Sequence, residues 1–171
     1  MKERPAAVTM KGSPLTLIGE EPKVGQPAPD FEAVANDLSR VTLSSLLGKP
    51  VLIAAVPSLD TPVCDLETRR FNQEAVKIGG DLVVLTLSMD LPFAQARWCG
   101  AAGVKNVRTL SDHRDGAFGT AYGVLIKGIR LLARAVYVVD RKGVLRYAQV
   151  VPDITQEPNY DRALAAVREV S

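Results

Sequence analysis

The stretch Val51-Leu52-Ile53-Ala54-Ala55-Val56-Pro57-Ser58-Leu59-Asp60-Thr61-Pro62-Val63-Cys64 decides the fold of this 171-residue chain. Its first six residues form a continuous apolar run of strand length, which is typical of a strand covered on both faces. Thr61 followed by Pro62 predicts the start of a helix, because Thr is a favoured N-cap and Pro fits the first helical position. A buried strand therefore leads through a short loop into a helix whose first turn carries Cys64, and which we expect to end near Ile78.

The segments around this unit alternate between strands and helices. We predict strands over 81–87, 107–110, 135–139 and 144–150, and helices over 62–78, 91–102, 115–122 and 159–170. Before them the pattern predicts a β-hairpin over 7–18 and short strands over 31–35 and 41–43. This order predicts an α/β fold with a central mixed sheet, helices on both faces and an N-terminal β-hairpin extension at about 1–20. We expect a single domain over 1–171.

Composition and charge exclude several classes of protein. Apolar residues make up 47% and charged residues 23% of the chain, which argues against wholesale disorder, collagen and a coiled coil. The net charge of +2 is too small to indicate a nucleic-acid-binding face. No apolar run approaches the roughly 18 residues that a membrane helix needs, and none follows the charged N-terminus. We therefore expect a cytoplasmic protein with neither a membrane nor a nucleic-acid partner.

The chain contains few cysteines and histidines that could bind a metal or react. The chain has two cysteines, Cys64 and Cys99, a single histidine, His113, and no C-x-x-C motif. These are too few ligands for a structural zinc site and too few cysteines for a disulfide scaffold, so we expect neither. In a reducing compartment, two such thiols are either buried and inert or redox-active.

The surroundings of Cys64 favour a reactive thiol. Backbone N–H groups in a first helical turn have no intrahelical partner, and the helix start acts as a partial positive charge, so both favour the thiolate. Thr61 could cap the helix, hydrogen-bond the thiolate or hold an incoming oxygen atom. Asp65 and Glu67 oppose the thiolate, and Arg134, just ahead of an apolar strand, is the best candidate to offset them. The alternative is that Cys64 is a small core residue at a capped helix start.

At this point the sequence resembles a known family. Pro57-x-x-x-Thr61-x-x-Cys64 is similar to the active-site signature of the peroxiredoxins, and the longer run Pro57–Asp65 resembles their thiol peroxidase branch, whose members are atypical two-cysteine peroxiredoxins. Asp90–Gly100 resembles that branch's segment with the second cysteine, and Ala133-Arg134-Ala135-Val136 resembles its strand with the active-site arginine. The resemblance covers nearly the whole chain. One departure is Trp98, where the branch commonly has Phe.

The resemblance implies a thioredoxin-like fold and a peroxidase that reduces hydroperoxides without metal, haem or flavin. It implies that the Cys64 thiolate attacks the peroxide and becomes a sulfenic acid, while Thr61 positions the peroxide and Arg134 stabilises the developing charge. Pro57 would shield the site. Cys99 would then condense with Cys64 to an intramolecular disulfide, which a thioredoxin-type donor reduces. A homodimer is implied in the same way.

Two other functions use the same residues. A non-enzymatic redox sensor, or a binding module switched by the same disulfide, would need the same activated thiol, and turnover would separate it from an enzyme. A disulfide oxidoreductase is disfavoured, because Cys64 and Cys99 do not form a C-x-x-C motif.

Overall fold

The computed structural model of the chain describes residues 1–171. Ten strands form two sheets, and four α-helices pack against them. In chain order the strands are β1 (Glu3–Met10), β2 (Ser13–Ile18), β3 (Glu32–Ala35), β4 (Arg40–Thr42), β5 (Val51–Ala55), β6 (Val83–Ser88), β7 (Arg108–Ser111), β8 (Leu125–Ile126), β9 (Ala135–Val139) and β10 (Leu145–Val150). The helices are α1 (Pro62–Ile78), α2 (Pro92–Ala102), α3 (Ala117–Ala121) and α4 (Tyr160–Val170), and a 3₁₀ turn covers Ser44–Leu46.

The larger sheet has seven strands in the order β10-β9-β5-β6-β7-β3-β4. Strands β5, β6 and β7 run parallel to one another, whereas every other neighbouring pair is antiparallel. All five residues of β5 are buried, as a central strand covered on both faces requires. The predicted mixed central sheet is therefore confirmed.

Helices cover both faces of this sheet. Alternate side chains of a strand point to opposite faces, so Leu52 and Ile53 of β5 belong to two different hydrophobic clusters. On the Leu52 side pack Phe71 of α1, Trp98 and Ala102 of α2, and Leu164 and Val167 of α4. On the Ile53 side pack Phe118 of α3 and Leu17 of β2. No helix is both long enough and apolar enough to cross a membrane.

The N-terminal hairpin is longer and tighter than the sequence predicts. We expected strands over 7–10 and 15–18 joined by a polar loop, but β1 and β2 are joined by two residues, Lys11 and Gly12. Both have positive φ, 50° and 84°, and such a turn matches the right-handed twist of the two strands. The hairpin pairs with β8 through Leu17 and Ile126. Strand β8 was missed, because two residues are too short to show a strand pattern.

The remaining predicted elements are present with small shifts of their ends. Helix α1, strand β9 and helix α4 begin and end where the sequence predicts. Helix α3 is shorter than the predicted 115–122, because the side chain of Asp112 accepts hydrogen bonds from the backbone N–H groups of Phe118 and Gly119 and so holds the start of the helix.

Candidate active site

Cys64 lies in the first turn of α1 and is fully buried, with 0% of its surface exposed. It packs with Val56 and Leu59 of the preceding loop, and Trp98 of α2 lies against this small cluster. Thr61 is the N-cap of α1, as predicted, and its hydroxyl accepts a hydrogen bond from the Cys64 backbone N–H at 3.4 Å. The thiol is therefore held at the positive end of a capped helix, which favours the thiolate.

Arg134 approaches Cys64 from the start of the neighbouring strand. It directly precedes β9, and because β9 pairs antiparallel with β5, Ala135 lies opposite Ala55 at the end from which the Cys64 loop departs. The guanidinium is 1% exposed and donates from Nη2 to Cys64 Sγ at 3.2 Å. Burial opposes its positive charge, but Glu67 and Cys64 outweigh burial and raise the pKa of Arg134. The structure thus places the buried cation that the sequence predicts for this site.

Glu67 belongs to this site through a contact with Arg134 that the sequence did not reveal. From the sequence it is only a negative charge that opposes the thiolate, but here its buried Oε2 accepts a hydrogen bond from Arg134 Nη1 at 2.6 Å. Burial raises the pKa of Glu67 to about 7, although Arg134 partly opposes this. The second oxygen, Oε1, has no hydrogen-bonding partner, so a full charge on this carboxyl is poorly compensated. Its spacing of three residues from Cys64, one helical turn, is the only sequence signal that could have indicated this position.

The three groups form one electrostatic unit. One cation, Arg134, faces two acidic groups, Cys64 and Glu67, at 3.2 and 2.6 Å. A buried site with one positive charge holds one negative charge well and two poorly. When Glu67 carries a proton, the charge of Arg134 is therefore left to the sulfur of Cys64.

A pocket opens beside these groups. It has a cavity volume of about 330 Å³, and its wall includes Pro57, Thr61 and Arg134. The rest of the wall comes from Met10 and Lys11 at the tip of the hairpin, Pro62 and Val63 of α1, and Leu131, Ile154 and Thr155. The structure thus brings together four of the five residues singled out from the sequence: Cys64, Thr61, Arg134 and Pro57.

Cys99 lies apart from this pocket, near the end of α2. Both cysteines are free, and Cys99 is only partly buried. Its Sγ lies 3.4 Å from the hydroxyl of Thr109 on β7, and that hydroxyl donates to Asn36 Oδ1 at 3.0 Å. A second cavity, of about 300 Å³, is lined by Cys99, Asn36 and Thr109 among others. In this state the two sulfur atoms face different partners, Arg134 and Thr109.

The comparisons with known proteins agree with one another. The redoxin family model matches residues 23–164. A thiol peroxidase from Bacillus subtilis (strain 168) is 53% identical over 163 residues, covering 95% of this chain and 97% of that protein. One from Halalkalibacterium halodurans is also 53% identical, over 95% of this chain and 98% of that protein. This chain belongs to the redoxin family, in its thiol peroxidase branch. The family resemblance read from Pro57, Thr61 and Cys64 is confirmed.

Solved structures support the fold. The crystal structure of a peroxiredoxin-like protein from Aquifex aeolicus superimposes with a TM-score of 0.90 at 42% identity, over 98% of this chain and 99% of that chain. A thiol peroxidase from Chromobacterium violaceum gives a TM-score of 0.84 over 95% of each chain, and at 24% identity it bears on the fold alone. The predicted thioredoxin-like α/β fold with an N-terminal hairpin is confirmed.

Proposed function

We propose that this protein is a thiol peroxidase that reduces hydrogen peroxide and organic hydroperoxides through a Cys64 sulfenic acid. The thiolate of Cys64 attacks the terminal oxygen of R–O–O–H and the O–O bond breaks. The sulfur keeps that oxygen as S–OH, and the leaving R–O⁻ takes one proton from solvent and becomes R–O–H. Arg134 stabilises the thiolate and the charge that develops on the leaving oxygen. Thr61 and the free N–H groups of the helix start position the peroxide, and Pro57 shields the site.

The contact between Arg134 and Cys64 is the observation that carries this proposal. The buried guanidinium donates from Nη2 to a buried sulfur at 3.2 Å, while its Nε and Nη1 donate to the Ile154 carbonyl and to Glu67. A cysteine that only filled the core would pack better against apolar side chains than against a cation, because burying a charge without a charged partner is costly. The geometry instead suits a sulfur that carries negative charge.

The second half of the cycle uses Cys99. Its thiol attacks the Cys64 sulfenic acid, a disulfide forms and one water molecule leaves. A thioredoxin-type dithiol then reduces the disulfide by exchange, which returns both cysteines to thiols. This dependence on a reducing donor supports a location in the cytoplasm. No metal or cofactor takes part in any step.

The pocket wall supports a preference among peroxides. Apart from Thr61, Arg134, Lys11 and Thr155, its side chains are aliphatic, sulfur-containing or proline. Such a wall would bury the alkyl or aryl group of an organic hydroperoxide, and each buried CH₂ contributes about 0.8 kcal/mol. Hydrogen peroxide has no such group, so we propose that organic hydroperoxides are the better substrates.

We also propose a homodimer. Phe93 on α2 is 71% exposed and Leu66 on α1 is 55% exposed. Burying them in a subunit interface would remove this apolar surface from water. Sedimentation velocity of the reduced protein gives the oligomeric state directly, and a concentration-independent monomer would contradict the proposal.

The function is tested by peroxide consumption with purified thioredoxin, its reductase and NADPH. Wild type should turn over many equivalents of cumene hydroperoxide. Cys64→Ser should show none, because an alcohol supplies no nucleophile at neutral pH. Cys99→Ser should stop after one equivalent, or after two once excess peroxide has oxidised its sulfenic acid to the sulfinic acid, since it has no partner thiol in the chain.

Mass spectrometry separates the alternatives. One equivalent of peroxide should yield a monomer two hydrogens lighter, with Cys64 and Cys99 joined in one peptide pair under non-reducing conditions. A covalent dimer would show that resolution is intermolecular. Stoichiometric oxidation without turnover would instead indicate a redox sensor.

A further inference from the structure

The two helices that carry the cysteines are joined by the neighbours of those cysteines. Trp98, next to Cys99, donates from its indole Nε1–H to Oδ1 of Asp65, next to Cys64, at 3.0 Å. The same indole lies against the small cluster that contains Cys64. Trp98 therefore contacts α1 in two ways, through a charge-assisted hydrogen bond and through packing.

Arg69 strengthens this junction. Its Nε donates to Asp65 Oδ2 at 2.9 Å, and its Nη1 donates to the Ala102 carbonyl at the end of α2 at 3.2 Å. Its guanidinium carbon also lies 5.8 Å from the centre of the Trp98 ring, within reach of a cation–π contact. Asp65, Arg69, Trp98 and the Ala102 carbonyl together form a group that we call the interhelix latch.

The start of α2 is held in a different way. Asp90, just before the helix, accepts from the Leu59 N–H at 2.8 Å and from the Ser58 hydroxyl at 2.7 Å. Gln95, which is 0% exposed, donates to the Ser88 hydroxyl and the Leu110 carbonyl, both at 2.9 Å. Breaking the two bonds of Gln95 would leave buried polar groups without water, whereas the latch lies partly in solvent.

The free energy needed to unfold α2 locally therefore differs along the helix. The segment up to Gln95 is held by the buried hydrogen bonds of Gln95 and by the partly buried ones of Asp90, and the segment after it depends on the latch. Cys99 lies in the second segment, followed by Gly100 and Gly103, and Gly103 ends the helix with a left-handed conformation. Local unfolding confined to residues 96–102 would free Cys99 while the start of α2 stays in place.

We propose that the hydrogen bond between Asp65 and Trp98 sets the rate at which Cys99 reaches the Cys64 sulfenic acid. This inference rests on the proposed function, in which those two cysteines form the disulfide. Cys99 faces Thr109 and Cys64 faces Arg134, so the latch must open before the two sulfur atoms can meet. Trp98 is in this sense a positioning residue, which acts through Cys99 and not on the peroxide.

The latch also decides between two fates of the sulfenic acid. With Cys99–SH it gives the disulfide and water. With a second R–O–O–H it gives the Cys64 sulfinic acid and R–O–H, because one oxygen atom is transferred to sulfur. The rate of disulfide formation is set by opening of the latch. The rate of oxidation to the sulfinic acid is proportional to peroxide concentration. A tighter latch therefore makes the enzyme more sensitive to inactivation by excess peroxide.

The test compares Trp98→Phe with wild type. Phenylalanine keeps an aromatic ring in the cluster but removes the donor to Asp65. We expect disulfide formation after a single peroxide addition to become about tenfold faster, because one hydrogen bond to a carboxylate is lost from the closed state only. Quenched samples analysed by intact mass give this rate, and also the fraction of sulfinic acid at high peroxide, which should fall in parallel. The first oxidation of Cys64 should keep its rate.

Two further variants make the test specific. Asp65→Ala removes the acceptor, and in this background Trp98→Phe should have no further effect on the rate of disulfide formation. Arg97→Gln is the control, since Arg97 is an exposed neighbour on α2 without a hydrogen bond to α1, and it should behave as wild type. Trp98 is the only tryptophan, so its fluorescence follows latch opening in wild type and in Asp65→Ala.

The outcomes separate this inference from the proposed function. If wild type forms no Cys64–Cys99 disulfide, the proposed function fails. If wild type forms it, but Trp98→Phe and Asp65→Ala form it at the wild-type rate or more slowly, the latch does not control resolution and the inference is overturned. A faster rate in Arg97→Gln as well would show that any change in α2 has this effect, which would also overturn it.

Discussion

The guanidinium of Arg134 lies 3.2 Å from the sulfur of Cys64, although the two residues are 70 positions apart in the chain. The same side chain donates to Glu67 at 2.6 Å and to the Ile154 carbonyl at 3.0 Å. Three acceptors in fixed directions hold the plane of the guanidinium, so it cannot turn away from the sulfur without losing other bonds. The cation is thus oriented before any peroxide arrives, which is the arrangement that stabilises developing charge most effectively.

Replacing Arg134 by Met should lower the rate constant of peroxide reduction by about 100-fold or more, as for other oriented donors at sites of developing charge. Methionine keeps much of the length of the side chain but supplies neither charge nor donors. The thiolate of Cys64 should also become less populated. Iodoacetamide alkylation as a function of pH, in a Cys99→Ser background, measures this.

Arg146→Met is the matched control for Arg134→Met, because Arg146 is a half-exposed arginine whose salt bridge with Asp140 lies on the surface. It should leave both readouts unchanged. Arg134→Lys keeps the charge and serves as a second variant in case Arg134→Met does not fold. We expect it to fall between wild type and Arg134→Met, since an ammonium group cannot hold the planar geometry. Unchanged alkylation and peroxide reduction in Arg134→Met would make Arg134 a structural residue.

Thr61→Val should remove both the cap of α1 and the hydroxyl in the pocket wall. We expect a loss of about 1 kcal/mol in the free energy of unfolding, as for other N-cap deletions. We also expect about a 100-fold loss in the peroxide rate constant, as for other oriented donors. Thr61→Ser keeps the hydroxyl and should retain most of both. Urea denaturation and stopped-flow oxidation measure the two effects, and equal activity of the Val and Ser variants would contradict a role for the hydroxyl.

The local part of this site could be predicted from the sequence. Thr61, Pro62 and Cys64 lie within one helical turn, so their relative placement follows from the helix start itself. Arg134 could be proposed because a charged residue directly before an apolar strand is unusual. Its contact with Cys64 then follows from the pairing of β9 with β5, which brings their ends together.

The rest depends on contacts between distant segments. Apart from its spacing from Cys64, nothing in the sequence tells whether Glu67 faces Arg134 or solvent, because α1 carries charged residues on several sides. The bond between Trp98 and Asp65 depends on how closely two helices approach. The hairpin tip reaches the pocket through its bonds with the distant segment around Asp153, and the length of the hairpin was itself underestimated from the sequence. Such placements follow from packing, not from local preference.

Glu67 predicts a pH dependence of stability. Burial raises the pKa of Glu67 to about 7 from an ordinary value of 4.5, so the folded protein keeps this proton to higher pH than the unfolded chain does. This contribution to stability is complete below the unfolded pKa and is lost as the pH rises through about 7. Glu67→Gln stays neutral, so the free energy of unfolding of the variant relative to wild type should increase from pH 5 to pH 8.

The measurement for Glu67→Gln is urea denaturation of reduced protein across this pH range. Glu169→Gln, at an exposed glutamate on α4, is the control and should follow wild type. A difference between Glu67→Gln and wild type that stays flat with pH would show that Glu67 is ionised in the folded protein throughout the range.

Asp153 anchors the hairpin tip over the pocket. Its Oδ2 accepts from the Thr9 hydroxyl at 2.7 Å and from the Gly12 N–H at 3.1 Å, and its Oδ1 accepts from the Thr155 hydroxyl and N–H. The donors of Thr155, and then those of Thr9 and Gly12, hold the pKa of Asp153 well below its usual range. The anchor is therefore charged at any physiological pH, and it places Met10 in the pocket wall.

Asp153→Ala should loosen this tip and with it the apolar part of the pocket. The kcat/KM for cumene hydroperoxide should fall several-fold, because the aryl group loses part of its wall, whereas the kcat/KM for hydrogen peroxide should change little. Asp140→Ala is the matched control, since Asp140 accepts from the Lys142 and Val144 N–H groups in another hairpin turn, and the pocket wall does not include that turn. It should leave the ratio of the two kcat/KM values as in wild type. An equal loss for both peroxides in Asp153→Ala would mean that the hairpin supports the fold of the site and does not select the substrate.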